Sequence, residues 1–269
     1  MLEKLFKLSE NGTNVKTELI AGLTTFMTMV YILALNPSIL SASGMDAGAI
    51  LTATAVASAI ACFAMAAFSN MPFALSAGLG LNAYFAYTIC GSMGYDWHAA
   101  LTAVLFEGLI FIVLSLTNVR EAIFNAIPKQ MKTAVSVGIG FFITFIGLQN
   151  AGIIVDGSTL VGLFSFKTAL SDGTFATHGI TAILTMVGVI LTVFLLKKNV
   201  KGYMLYGILL TWALGIVCQL TGIYVPDNES YFSLIPTAFF SMPASISSTF
   251  FKFDFAFVAE HTLDFIVMM

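Results

Sequence analysis

Within an otherwise apolar stretch, the residues Asn70-Met-Pro-Phe-Ala-Leu-Ser-Ala-Gly-Leu-Gly-Leu-Asn-Ala-Tyr-Phe85 bring together the types best suited to binding chemistry. Pro72, Gly78 and Gly80 crowd the first half. Each glycine costs a helix interior about 1 kcal/mol relative to alanine, and Pro72 has no amide proton for a helical bond. The spacing therefore predicts an extended piece, Phe73–Ser76, followed by a helix that begins near Gly78–Gly80 and runs through Ile89. A helix that starts at membrane depth presents free N–H donors and the positive end of its dipole. Whatever it faces must be protein or a watery cavity, because unpaired amides in lipid are costly. Phe73, Ala77, Gly78 and Gly80 would line this start. The Asn82 amide, in the first turn, supplies donors and an acceptor together, as a purine or pyrimidine edge requires. Two plainer readings stand beside this one: the glycines permit tight helix packing, and Asn82 makes an interhelical hydrogen bond.

Glu107 falls near the middle of the next apolar run, where an ionised carboxylate is expensive. It must be protonated, paired or hydrated, and its two readings are proton coupling and a neutral side chain locking helices together. Thr24, Thr25 and Thr28 line one side of the first apolar run. Thr25 is a candidate for an inward hydrogen bond to a ligand, the alternative being a hydroxyl bonded to its own helix. His98, His178 and His261 lie near expected span ends and form no metal set. Cys62, Cys90 and Cys218 are far apart and read as small packing residues. The sequence has no nucleophile elbow, phosphate loop or zinc motif, so the expectation is no enzyme, no cofactor and no metal.

The elements that must position these residues are membrane helices. Hydrophobic residues make up 58% of the 269 positions and charged residues 9%, against about 45–50% and 25% in an average soluble domain. Uncharged runs of about 20 residues recur, matching a hydrocarbon core of about 30 Å. Seven spans can be drawn: Ile20–Leu40, Ala49–Phe68, Pro72–Cys90, His98–Leu116, Thr133–Gln149, His178–Leu196 and Gly202–Leu220, with an eighth beginning near Phe255. The first is too long for a signal-peptide core and is expected to be retained. Tyr231–Phe251 is also uncharged, but Pro236, Pro243 and several serines suit an irregular or interfacial loop.

With these spans, Lys4, Lys7, Lys16, Arg120, Lys129, Lys132, Lys197, Lys198 and Lys201 fall on one side, nine of the eleven basic residues. By the positive-inside rule that side, with the N-terminus, is cytoplasmic at the cell membrane. Lys167 and Lys252 lie opposite, beside Asp46, Asp96, Asp156, Asp172, Asp227 and Glu229. No nucleic-acid-binding patch is present. The last residues, 260–269, stop inside a rising apolar run, which is expected of a truncated chain, and seven spans suit one unit of an inverted-topology pair.

Several long motifs resemble the adenine/guanine/hypoxanthine permeases of the xanthine/uracil permease superfamily. They are AGLTTFMTMVYILALNPSIL at 21–40, GMDAGAILTAT at 44–54, NMPFALSAGLGLNAYFAY at 70–87, and NVREAIFNAIP with GIGFFITFIGLQNAGI further on. The resemblance implies an all-α polytopic membrane protein. The chain would be the first seven-helix unit of a 7+7 inverted-repeat transporter, with a broken third span containing a short extended segment. It implies a cytoplasmic segment at 1–16, core-domain spans one to four at 17–117, gate-domain spans five to seven at 118–222, an extracytoplasmic loop at 223–254 and the start of span eight at 255–269. It further implies import of purine nucleobases, generally by symport with a proton or other coupling cation, with Asn82 at the position associated with substrate. The partners implied are a purine nucleobase, the coupling ion, the lipid bilayer, the C-terminal half of the transporter and a second copy in a homodimer.

Two features depart from the family pattern. Ala77 and Leu79 stand where proline and methionine are common, and the acidic motifs of spans eight and ten have no counterpart in Glu260 or Asp264. A seven-span receptor or regulatory subunit that binds a small molecule without moving it is the alternative function; a channel would need a continuous polar stripe, which is not seen.

Overall fold

The computed structural model describes residues 6–117, 119–157, 160–227, 231–236 and 241–268; Lys4, Glu229, Met269 and part of the 231–251 loop lie outside the described residues. Twelve α-helices define the described chain: α1 (Val15–Met29), α2 (Ile32–Leu40), α3 (Ala47–Ala64), α4 (Leu79–Ala83), α5 (Trp97–Leu116), α6 (Val119–Ala126), α7 (Lys129–Asn150), α8 (Phe166–Ser171), α9 (Ile180–Lys197), α10 (Tyr203–Leu220), α11 (Phe255–Glu260) and α12 (Thr262–Met268). A short antiparallel hairpin pairs β1 (Ile154–Asp156) with β2 (Val161–Leu163).

Helix starts follow capping chemistry. Asn14 accepts the Thr17 amide at 3.0 Å to open α1, and Asp46 accepts the Ala49 amide at 2.9 Å to open α3, each satisfying a donor the helix leaves free. Gly44 turns the chain before α3 at φ 89°, a conformation that favours glycine.

Among the described residues, six helical stretches are long and apolar enough to cross a membrane: Val15–Ser43, Ala47–Ser69, Trp97–Leu116, Lys129–Asn150, Phe175–Lys197 and Tyr203–Leu220. They coincide with the first, second, fourth, fifth, sixth and seventh expected spans. The protein is therefore a mainly helical, multi-pass membrane protein. The first stretch is not the continuous helix expected, because a turn at Val30–Tyr31 separates α1 from α2. Thr24, Thr25 and Thr28 donate their hydroxyls to the carbonyls of Ile20, Ala21 and Thr25, bonds that bend helices, and Pro37 withholds an amide proton within α2. The helix expected from Phe255 is likewise divided, at His261, into α11 and α12.

The chain forms two compact units. The first comprises Met1–Tyr31 and Ile143–Met242. Its main feature is the α9–α10 pair, which closes by reciprocal notches. A Cβ on Gly188 would come within 2.5 Å of Thr211 Oγ1, and one on Gly207 would collide with Thr192. The hydroxyls of Thr192 and Thr211 donate to Gly188 and Gly207 carbonyls of their own helices at 2.8 Å. Polar groups are thus satisfied within each helix while glycine surfaces allow close approach.

The second unit comprises Ile32–Phe142 and Pro243–Met269. Its core joins Phe85 and Ile89 to Ala99, Ala100 and Ala103 of α5 and to Phe265 and Met268 of α12. The small alanines admit the aromatic rings, and Phe106 meets Phe265 edge-to-face at 5.3 Å. Thr102, fully buried, accepts the Asp254 amide at 2.8 Å. Among their described residues, 231–236 and 241–251 contain only one short helical turn, Ile246–Ser248.

Candidate functional site

Six of the seven singled-out residues lie in the second unit, three of them (Phe73, Ala77 and Gly78) on the segment linking α3 to α4 and two (Gly80 and Asn82) in α4 itself. After α3 the chain continues through wide π-helical turns, Met65–Ser69, and stops at Asn70, which adopts a left-handed conformation (φ 50°). Residues 70–78 then belong to no helix or strand. Their backbone runs past α3: Cys62 Sγ accepts the Leu75 amide at 3.2 Å and donates to the Leu75 carbonyl at 3.3 Å, and the hydroxyls of Ser58 and Ser76 are 2.7 Å apart. Cys62 is thus more than a packing residue, since it satisfies both backbone groups of a residue outside any ladder.

Helix α4 starts at Leu79 with Gly78 extended at the cap (φ −87°, ψ 103°) and no side chain capping it. The first bond of the helix is Asn82 N–H to Gly78 C=O at 3.1 Å, so the amides of Leu79, Gly80 and Leu81 have no helical acceptor. The α-helical part covers five residues and passes into nine residues of wide turns, Tyr84–Ser92.

Among the described residues no neighbouring backbone comes close to either glycine. A Cβ on Gly78 would meet nothing within 4 Å, and one on Gly80 only the edge of the Phe142 ring at 4.0 Å. Phe73 is exposed and Ala77 half-buried. Asn82 is half-buried, and its Nδ2 donates to Asn36 Oδ1, so the plainer reading of an interhelical bond holds for one of its amide groups. Its Oδ1 has no hydrogen bond among the described residues. Asn36 in turn donates to Thr54 Oγ1 at 2.7 Å. Sequence reading missed Asn36, Thr54, Ser58 and Cys62; the visible signal was a lone carboxamide, Asn36, inside an apolar run beside Pro37.

The other two candidates stand apart from this cluster in their contacts. Thr25 belongs to the first unit and gives its hydroxyl to Ala21 C=O at 3.0 Å. Glu107, the eleventh residue of the 20-residue α5, is exposed and has no hydrogen bond or ion pair among the described residues. The histidines are less plain than their positions suggested, since each lies near an aspartate: His98 with Asp96 at 2.6 Å, His178 with Asp227 at 4.0 Å and His261 with Asp264 at 3.6 Å. Among the described residues, no three His, Cys, Asp or Glu side chains group to hold a metal.

A cavity of about 720 Å³ lies within the first unit, lined by Thr181, Thr185, Gly188, Thr211, Trp212 and Leu234 among others. The hydroxyls of Thr181, Thr185 and Thr211 all donate back to their own helices, leaving the cavity few polar donors for a ligand.

Six long apolar helical stretches, with an uncapped helix start and a carboxamide beside it, define a polytopic helical membrane protein. Residues 16–268 match the Permease family of xanthine/uracil type, and the chain belongs to that family, a family of transporters rather than enzymes. It is 44% identical over 254 residues to a putative permease of Methanocaldococcus jannaschii, covering 94% of this chain and 53% of that relative. It is 42% identical over 246 residues to a guanine/hypoxanthine permease of Bacillus subtilis (88% and 53% covered). It is 36% identical over 215 residues to an adenine permease of Escherichia coli (80% and 46% covered). The chain thus spans about half the length of the curated relatives it matches.

Proposed function

We propose that this chain forms one repeat of a secondary transporter that imports purine nucleobases, with the base held against the start of α4. The observation that carries the reading is the open helix start itself. Gly78 and Gly80 leave space where a side chain would otherwise stand, three amides lack helical acceptors, and the Asn82 carbonyl oxygen is unengaged among the described residues. Backbone that leaves the helical ladder in a membrane protein is tolerated where it lines a cavity, and half-helix starts are a common way to hold substrate near the midplane. Relatives named as guanine/hypoxanthine and adenine permeases support a purine.

In this reading residues 70–78 are the break in the third span and α4 its half-helix. A purine edge sets a ring nitrogen or carbonyl against the Leu79–Leu81 amides and a ring or exocyclic N–H against Asn82 Oδ1. Phe73 and Ala77 wall the approach. Because the chain spans about half of its relatives, a second unit of similar size completes the site. Glu107 serves proton coupling or helix locking, and the N-terminus is cytoplasmic. Support for that orientation comes from the nine basic residues that the span count puts on the inner side; three of them lie over aromatic rings, Arg120 over Phe111 at 4.6 Å, Lys132 over Phe124 at 3.8 Å and Lys198 over Phe194 at 5.7 Å. Such long cationic side chains cover apolar surface while keeping the charge toward water.

The test is uptake of radiolabelled hypoxanthine and adenine by cells producing the intact protein, with and without a protonophore. Saturable uptake abolished by the protonophore is expected; no uptake of any purine above control cells would overturn the reading, whereas uptake that resists the protonophore would remove proton coupling alone.

A further inference from the structure

Asn36 lies four residues before the end of α2 and is 97% shielded, with an exposure of only 3%. Its carboxamide connects three helices. The oxygen accepts the Asn82 amide of α4, and the nitrogen donates to Thr54 Oγ1 of α3, itself buried at 7% exposure. A polar chain of this length inside apolar helices is retained only if each member is satisfied. Here every member is, up to the last, Asn82, whose Oδ1 has no hydrogen bond among the described residues.

We infer that Asn36 is a positioning residue for purine recognition, acting through Asn82 and anchored by Thr54. The inference rests on the nucleobase reading of the α4 start. A carboxamide on a free rotor presents oxygen and nitrogen interchangeably, because rotation about its last bond is broad and roughly two-fold. With one N–H of Asn82 committed to Asn36 Oδ1, that rotation stops and Asn82 Oδ1 is the group left for the ligand. The acceptor then stands one residue beyond the free amides of Leu79, Gly80 and Leu81, giving a donor–acceptor pair along one edge. Hypoxanthine, guanine and adenine each carry adjacent acceptor and donor groups on the six-membered ring edge, so the ligand class selected is a purine with both. An analogue with that ring N–H methylated, or with the amino group dimethylated, presents no donor to the fixed oxygen. Sites built around a hydrogen bond reject ligands that lack it far more strongly than apolar sites reject size changes.

A plain structural latch between helices would use the same bonds, so the test separates the two. Saturable binding of radiolabelled hypoxanthine is measured on the purified, intact protein as wild type, Asn36→Ala, Asn82→Ala and the double variant, with folding checked by thermal melting. Asn36→Ala is expected to weaken binding about 5- to 150-fold in the wild-type background, as loss of a buried hydrogen bond does. In the Asn82→Ala background it should change affinity by less than about twofold, since groups that act through one another are non-additive. Thr54→Val, which keeps the side-chain volume, should repeat the pattern at smaller size and serves where Asn36→Ala does not fold. Asn36→Asp keeps an oxygen facing Asn82 and should hold discrimination against 1-methylhypoxanthine, which Asn36→Ala loses. Equal fold-losses from Asn36→Ala or Thr54→Val in both backgrounds, or no loss at all, would overturn the positioning role. A wild-type protein that binds no hypoxanthine would instead bring down the nucleobase reading beneath it.

Discussion

The backbone N–H of Leu234 donates to Gln219 Oε1 at 2.8 Å, so a residue of an irregular loop is held by a side chain of a membrane helix. Two turns earlier on α10, Trp212 Nε1 donates to the Leu234 carbonyl at 2.9 Å, and Gln219 Nε2 donates to Ser233 Oγ at 2.8 Å. The Leu234 side chain fills a notch at Gly215, where an added Cβ would lie 2.6 Å from Leu234 Cδ1. The strap thus lies along α10 with both backbone polar groups of Leu234 satisfied by side chains, as backbone near an apolar phase requires.

Gln219→Leu leaves the Leu234 amide without its acceptor. It should lower stability by about 1 kcal/mol, the net worth of a typical hydrogen bond at this half-buried contact, seen as a lower melting temperature of the purified protein. An unchanged melting temperature would mean that the strap does not hold in solution.

Gly207→Ala drives a methyl group into Thr192. Overpacking of this kind costs about 1–3 kcal/mol, and Thr192→Ala in the same chain should recover most of it. Failure of that second change to recover stability would place the cost elsewhere than the α9–α10 notch.

Tyr224 is buried and donates its hydroxyl to the Phe232 carbonyl at 2.9 Å. Burial first, then the charge of Asp227 and then Tyr231, push its phenol above the ordinary tyrosine range, which lies at about 10. The folded state therefore holds the proton more tightly than the unfolded chain. That contribution is whole below pH of about 10 and is lost as pH rises through the raised value. Tyr95 and Tyr231 are raised as well, by burial first, so tyrosinate absorbance should show a late-titrating set, and Tyr224→Phe should lower its amplitude by one group. A late amplitude unchanged in Tyr224→Phe would show that Tyr224 is not among the raised groups.

Cysteine placed at Asp156 should react with an impermeant reagent on intact cells, and cysteine at Lys198 only after permeabilisation. The reverse pattern would invert the orientation set by the basic residues.

The six long spans were legible because length and hydropathy suffice to place a helix in a bilayer. The turn at Val30–Tyr31 was not, since threonine back-bonding bends a helix without changing its hydropathy. Gly78, Gly80 and Asn82 stood out because Pro72 and two glycines oppose a straight helix. Their partners Asn36 and Thr54 did not, because pairing across residues separated by 46 and 18 positions is set by packing rather than spacing. The notches at Gly188 and Gly207 were hidden for the same reason: a glycine within a span reads alike whether a threonine faces it or, as at Gly78, nothing does.

The central claim is that a purine sits against the opening at Gly80 and Asn82, and the most direct measurement is hypoxanthine affinity of the intact, folded protein carrying Gly80→Trp. Filling the space beside the free amides should weaken binding at least as much as Asn82→Ala, by about 5- to 150-fold, on protein whose folding is checked by thermal melting; a Cβ at this position meets only the Phe142 ring edge, at 4.0 Å. Undiminished affinity in Gly80→Trp, on protein that melts normally, would contradict the account and move the site to another span.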